Sequence, residues 1–373
     1  MRRTKVNESR SSYDKRTLVK ADGRRLILYA RARLPENLTA PTPQAPDRAN
    51  PHLRWHPLRG EWVAYAGHRQ HRTFLPPAEY NPLAPSPADA TPTEVPAGPW
   101  DVAVFENLFP AFTMDAHGAP ELEVPTRAGV GVCEVVVFTQ DARATLGTLP
   151  LSQIELIVDV WADRYEELGR LREVEYVYAF ENRGVEVGVT LPHPHGQIYA
   201  YPFVPPLPAR ELEHQRAHYD RHGRGLVADL VAREVGEGVR LIYTGPHVTA
   251  FVPVFARYTY EVWIAPLRPA PSFAALTADE RRDFARALKT VLLKYDGLWN
   301  APFPYILAFH QAPTDGSPHP EAHLHAEFYP AYRMRGRLKY LAGSEIGAGV
   351  FTADTVPETT AKELQAVPVD VDA

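Results

Sequence analysis

His193-Pro194-His195-Gly196-Gln197 places two imidazoles and an amide at alternate positions, and roughly 130 residues further on His323-Leu324-His325 repeats the His-x-His spacing. In an extended strand alternate side chains share a face, so His193, His195 and Gln197 are expected to point together at one phosphate. A neutral imidazole is nucleophilic near pH 7 and leaves readily from a phosphoramidate, so His195 can carry a nucleotidyl group between two substrates. Pro194 restricts its own φ and biases His193 toward extended backbone, while Gly196 omits a Cβ that would crowd a phosphate approaching the chain.

The surroundings of the two His-x-His segments repeat as well. In the first stretch a strand-like run from Cys133 to Phe138 leads to Ser152-Gln153-Ile154-Glu155, which reads as a capping box. A helix with the apolar stripe Ile154, Ile157, Val158, Trp161, Tyr165 and Leu168 follows, then a strand from Val174 to Glu181, then the His193/His195 strand. The second stretch runs through a strand from Tyr260 to Ala265, the capping box Thr277-Ala278-Asp279-Glu280, and a stripe of Phe284, Leu288, Val291, Leu292 and Tyr295. It ends in a strand from Tyr305 to Phe309 and in His323-Leu324-His325. The predicted class is α+β: a duplicated unit, each half a mainly antiparallel sheet with packed helices, because no helical crossover separates the last two strands of either half.

The chain divides accordingly into an N-terminal extension, partly tail, over 1–50, a first half with the nucleophile over 51–205, and a connecting helical segment over 206–238. A second half over 239–350 and a tail over 351–373 complete it. The stretch Pro76 to Pro99 reads as a surface loop, and 37 prolines argue against a helical bundle. At 373 residues with net charge −5, the composition is that of a soluble globular protein without a nucleic-acid footprint. The basic concentration Arg2, Arg3, Lys5, Arg10, Lys15, Arg16, Lys20, Arg24 and Arg25 reads as a solvated tail. No run is apolar enough for a membrane span or a secretory signal, which makes the cytoplasm the expected compartment. Cys133, the only cysteine, is expected to be an inert core thiol.

Phe180-Glu181-Asn182-Arg183-Gly184, Gly188, Thr190 and the run Pro192 to Ala200 closely resemble the active-site segment of the galactose-1-phosphate uridylyltransferase family, within the histidine-triad superfamily. Arg54 to Val63 with His68, Arg69 and Arg72 resembles that family's first strand and phosphate-contacting arginines, and Val104 to Pro110 its uridine-side segment. Phe309 to Pro313, His323 to Pro330 and Lys339 to Glu345 resemble its second-half motifs. The resemblance implies a duplicated histidine-triad-like fold and a ping-pong exchange of UMP between UDP-glucose and galactose 1-phosphate through a uridylyl group on His195. Gln197 stands where histidine-triad hydrolases carry a third histidine. An amide donates to a nonbridging oxygen but has no titratable proton to pass on, which favours transfer over hydrolysis. Arg69 and Arg72 are expected on phosphate oxygens, Asn182, Gly188 and Thr190 around the phosphoryl or ribose groups, and Asn107 and Phe109 on the uridine side. Lys339 and Glu345 match positions that contact hexose and phosphate from the partner subunit, which implies a homodimer.

Relatives hold zinc near the nucleophile through a Cys-x-x-Cys pair, a histidine and the first histidine of the motif. Here those positions read Asn81, Ala84, Ala142 and His193, so that zinc is predicted absent and His193 is expected to be a structural hydrogen-bonding residue. The second-half metal of relatives, iron or zinc on one glutamate and three histidines, maps to Glu211, His310, His325 and Glu327, with a carboxylate replacing one imidazole. This set still suits zinc, iron or manganese, in an expected structural role. Two other readings share these residues: a nucleotide-sugar or dinucleoside-polyphosphate phosphorylase of the same superfamily, and a catalytically silent nucleotide-binding protein.

Overall fold

The structure, a computed structural model, describes residues 13–43, 49–71, 80–87 and 91–372. The first half begins with strands β1 (Asp14–Val19) and β2 (Arg25–Ala30), the small-sheet strands β3 (His52–His56) and β4 (Glu61–Tyr65), β5 (Val102–Glu106), β6 (Thr126–Ala128) and β7 (Val132–Val137). Helix α1 (Leu151–Gly169), β8 (Tyr176–Arg183) and β9 (His195–Tyr201) follow, then α2 (Pro206–His222) and α3 (Leu226–Glu237). The second half comprises β10 (Leu241–Thr244), β11 (Val248–Phe251), β12 (Val262–Pro266), α4 (Ala278–Leu298), β13 (Tyr305–His310) and β14 (His325–Pro330). A hairpin of β15 (Tyr332–Met334) and β16 (Arg337–Leu338) and a helix α5 (Pro357–Gln365) close the chain.

Eleven strands form one sheet in the order β1-β2-β5-β7-β9-β8-β13-β14-β12-β11-β10, and each pairing is antiparallel. The order β7-β9-β8 is mirrored by β12-β14-β13 about the β8–β13 seam, so the repeat read from the sequence is a spatial duplication. Helices α1 and α4 lie together on one face. Trp161 of α1 meets Phe309 at 4.5 Å and Phe138 at 6.1 Å between ring centroids, and Phe273 joins Phe284 and Phe309. Each such fully buried aromatic contributes about 2–3 kcal/mol by removal from water.

Strand alternation then assigns the other face. Ile198 and Ala200 join the helix-side core with Ala326, Phe328, Leu307 and Phe309, which turns His195, Gln197, His310, His325 and Glu327 to the opposite side. On that side α2 and α3 cover the second half: Val227 and Val231 pack with Phe251, Trp263 and Ala265. The segment 80–100 covers the edge of the first half, with Leu83, Val95 and Trp100 buried against Leu26, Phe105 and Val137. Between these two covers the described residues leave the sheet face open.

Several expectations are corrected. Residues 14–30 are not a solvated tail but the outer strands of the main sheet; Lys15 pairs with Asp163 and Glu167, and Arg25 with Glu106 and Glu167. Strand pairing to β5 overrides the tail-like charge density; Arg2, Arg3, Lys5 and Arg10 lie outside the described residues. The described parts of 76–99 hold no strand, as expected, yet they are not merely surface, since Leu83, Thr93, Glu94 and Val95 are buried. Helix α1 is preceded by Pro150 with no side-chain cap, and the Ser152 hydroxyl instead accepts from Arg31 at 2.7 Å. The second capping box forms: Thr277 accepts from the Glu280 amide and Glu280 accepts from the Thr277 amide. The stretch after 351 includes α5, whose Ala361 and Leu364 are fully buried.

Candidate active site

Strand β9 starts at His195, not at His193. His193 precedes β9 and is 1% exposed; its Nε2 lies 2.7 Å from the Thr139 carbonyl oxygen, and its Nδ1 lies 2.9 Å from the Asn81 side-chain nitrogen. A carbonyl only accepts, so Nε2 carries the proton and Nδ1 accepts from the Asn81 amide. The expectation that His193 shares a phosphate with His195 and Gln197 is therefore corrected: strand geometry begins two residues after it. The same segment corrects the reading of Gly196. Its face is the helix side, where a Cβ would sit 2.8 Å from Phe138 Cζ and 3.1 Å from the Phe180 carbonyl oxygen, so the glycine serves close packing.

His195 Nδ1 lies 2.7 Å from the main-chain oxygen of His193. By the same argument Nδ1 holds the proton and Nε2 keeps its lone pair. Burial pushes the His195 pKa below its ordinary value, opposed by the bond to the His193 carbonyl, so the neutral ring is favoured.

A cleft of about 290 Å3 opens over this strand. Its floor is one row of paired residues, Phe105 on β5, Val135 on β7, Gln197 on β9 and Phe180 on β8. His195 and Gln197 line it from β9, with Asn182, Gly188 and Thr190 from the end of β8 and the loop that follows. Arg69, Asn107 and Phe109 line it from the other side. Arg69, in a short 3-10 turn (Gly67–His71), donates to the Phe109 carbonyl at 2.7 Å, and Asn107 accepts from the Phe109 amide at 2.8 Å, so these three residues brace one another. Arg72 lies outside the described residues. Tyr199 and Glu94 also line the cleft and were missed. Tyr199 was within reach of the period-two rule, being two residues past Gln197; Glu94 carries no local signal.

Lys339 and Glu345 are not brought to this cleft. They line a separate one with Arg333 and Arg337, beside the β15–β16 hairpin. Cys133 is buried, and burial pushes its thiol up to about 12, which makes it unreactive at neutral pH.

The second half presents a different surface. The ligand atoms of Glu211, His310, His325 and Glu327 lie within 4.8 Å of one another, with Glu211 supplied by α2. His325 Nδ1 donates to the His323 carbonyl at 2.9 Å, which turns Nε2 to Glu327 Oε1 at 3.3 Å. Tyr329 and Arg257 donate to Glu327 Oε2, at 2.5 and 3.3 Å, so Oε1 is the oxygen turned to the cluster. His310 Nδ1 sits 2.7 Å from Glu211 Oε2, yet both of its ring nitrogens are buried without a hydrogen bond among the described residues. A buried imidazole with an unbonded ring nitrogen, set among Glu211, His325 and Glu327, is what a divalent cation would satisfy, and the N2O2 donor set fits one.

Comparison with known proteins agrees along nearly the whole chain. Residues 42–205 match the family model described as galactose-1-phosphate uridyl transferase, N-terminal domain, and residues 211–372 match the corresponding C-terminal domain. A galactose-1-phosphate uridylyltransferase of Thermotoga maritima is 36% identical over 326 residues, covering 86% of this chain and 99% of that protein. A solved uridylyltransferase structure superposes with a TM-score of 0.76 at 34% identity, covering 85% of this chain and 98% of the other. An ADP-glucose phosphorylase from Arabidopsis thaliana, solved with ADP-glucose bound, shares the fold with a TM-score of 0.65 at 23% identity, covering 86% of this chain and all of the other. Among the described residues no helix is long and apolar enough to cross a membrane.

Proposed function

This chain belongs to the galactose-1-phosphate uridyl transferase family, and from that premise we propose that it exchanges UMP between UDP-glucose and galactose 1-phosphate through a uridylyl group held on His195. The observation that carries the reading is the 2.7 Å bond from His195 Nδ1 to the His193 oxygen, which leaves a lone pair on Nε2 beside an open cleft.

In the first half-reaction Nε2 bonds to the α-phosphorus of UDP-glucose, and the bond from that phosphorus to its bridging oxygen breaks. Glucose 1-phosphate leaves with the electron pair, already a stable anion that needs no strong general acid. The ring becomes cationic, and the His193 carbonyl on Nδ1 stabilises that charge. In the second half-reaction a phosphate oxygen of galactose 1-phosphate attacks the same phosphorus, the N–P bond breaks, and the lone pair returns to Nε2. Gln197 donates from its amide to a nonbridging oxygen in both steps, and Arg69, braced on Phe109, neutralises phosphate charge. Asn182 and Thr190 orient the phosphoryl group, and the apolar row toward Phe105 excludes water from the nucleoside end.

Glu211, His310, His325 and Glu327 would hold a divalent cation, zinc or iron, whose contribution is to tie α2 to β13 and β14. Lys339 and Glu345 complete the hexose-phosphate site of a partner subunit in a homodimer. Support for this comes from their distance from the cleft in one chain and from the exposed apolar residues around them, Tyr340 (76%), Ile346 (62%) and Val350 (61%).

Intact-protein mass after mixing with UDP-glucose, beside His195→Asn, tests the reading. An acid-labile uridylyl adduct on wild type alone, chased by galactose 1-phosphate, is the expected result. An adduct removed by inorganic phosphate and not by hexose phosphate would make the chain a phosphorylase, and no adduct with retained nucleotide affinity would make it a binding protein.

A further inference from the structure

The cleft contains a carboxylate that the transfer steps above leave unused. Glu94 lines it, yet is only 5% exposed. Lys20, the ion-pair partner of Glu94, lies over the ring of Phe105, which pairs with Val135, which pairs with Gln197. The Glu94 corner thus lies two strand spacings, roughly 10 Å, from the His195 strand. This is the separation of a nucleoside from its own 5′-phosphate, and the corner is otherwise apolar, with Leu83, Phe105 and Val135 on its walls.

A buried charge persists only when paired, and Glu94 is paired by the turn between β1 and β2. Lys20 Nζ forms an ion pair with Glu94 Oε2 and donates to the Glu94 main-chain oxygen at 2.7 Å; Arg24 Nη1 reaches Oε2 at 3.0 Å and Oε1 at 3.2 Å. Lys20 is itself 2% exposed and sits 5.0 Å from the Phe105 ring centroid. The Glu94 amide is committed to the Pro82 oxygen at 2.9 Å. A carboxylate offers about four lone-pair directions, and these bonds leave one on Oε1. Both cations precede residue 42, where the family match begins.

We propose that Glu94 is the specificity-determining acceptor for the nucleoside, taking on Oε1 a hydrogen bond from an N–H or O–H donor, either a ring imide or a ribose hydroxyl. Lys20 and Arg24 are positioning residues that hold the carboxylate in place. The identity of the nucleoside rests on the uridylyl-transfer reading; the role of Glu94 does not.

The test is calorimetric binding of UMP, AMP, GMP and CMP to wild type, Glu94→Gln and the double variant Lys20→Met/Glu94→Gln, which removes the buried pair together and guards against a lone buried cation. Alongside it, KM and kcat are measured for exchange between UDP-glucose and glucose 1-phosphate, with 2′-deoxyuridine and N3-methyluridine analogues of the donor. Both variants are expected to bind UMP about tenfold more weakly, with KM raised by the same factor and kcat held. One analogue should lose about tenfold on wild type and nothing further on Glu94→Gln, and which one it is identifies the donor group. UMP affinity equal to wild type in both variants, or analogue losses identical on all three proteins, would overturn the proposal. A wild type that prefers another nucleotide, weakened by Glu94→Gln, would uphold Glu94 and overturn uridine; a wild type that binds none of the four would overturn both.

Discussion

His195 donates from Nδ1 to the main-chain oxygen of His193 at 2.7 Å. His325 repeats the bond to His323 at 2.9 Å, so the duplicated bend sets the same tautomer twice. What differs is the environment of the bare Nε2. In the first half it borders an open cleft; in the second, Glu211 on α2 and Glu327 close over it. One local geometry thus turns Nε2 to an open cleft in one half and to carboxylates in the other.

Gln197→Ala is expected to slow exchange between UDP-glucose and glucose 1-phosphate by 10^2–10^3-fold, about 3–4 kcal/mol of lost stabilisation at the nonbridging oxygen. Gln197→His restores a titratable proton and should raise release of free UMP. Unchanged exchange in the alanine variant would remove Gln197 from the chemistry.

Gly196→Ala is expected to cost about 1–3 kcal/mol in urea unfolding, because the new Cβ meets Phe138 at 2.8 Å. Adding Phe138→Leu should recover part of the loss. Were the glycine needed for phosphate approach, the single variant would instead keep its stability and lose substrate affinity.

Asn81→Leu removes the donor on His193 Nδ1 and should destabilise by about 1–3 kcal/mol, since a buried imidazole nitrogen is then left unpaired. Thermal unfolding reads this directly; a melting point equal to wild type would show that Asn81 does not brace the loop.

The cluster around Glu327 predicts close to one divalent ion per chain by elemental analysis, and Glu327→Ala should lower it. Removal by a chelator is expected to drop the melting temperature by roughly 5–10 °C while exchange at low temperature persists. Loss of all exchange in a folded, metal-free protein would contradict a structural role.

Burial raises the Glu181 carboxyl to about 7, against the hydrogen bond that Tyr305 donates to it at 2.9 Å. Its folded pKa lies above its unfolded one, so between about pH 4.5 and 7 the native state binds the extra proton, and stability falls as pH rises through that window. Glu181→Gln should therefore be more stable than wild type at pH 8, by up to about 3 kcal/mol, and nearly equal at pH 5. Parallel urea titrations at the two pH values decide it; equal midpoints at pH 8 would place the Glu181 carboxylate in a solvated site.

Much of this molecule is legible in its sequence. The apolar stripes of α1 and α4 and the two His-x-His segments encode the duplication, because helix and strand periods are local properties of the chain. Cleft residues such as Asn182, Thr190 and Gln197 sit in short motifs whose backbone and side chains act within a few residues of each other. Failures came where a local rule competed with a distant partner. Ser152 has cap chemistry but bonds Arg31, and Lys15 and Arg25 have tail-like charge density but pair with Asp163 and Glu167 on α1 and with Glu106 on β5.

By itself the sequence determined the duplicated α+β architecture and the grouping of Glu211, His310, His325 and Glu327. Only the tertiary structure decided that His193 turns away to Asn81, that Lys339 and Glu345 stand apart from the cleft, and that the β1–β2 turn supplies Lys20 and Arg24 to Glu94. The reason is physical: periodicity and bond geometry act over a few residues, whereas burial and charge pairing depend on which surfaces meet, and that is settled by the packing of segments far apart in the chain.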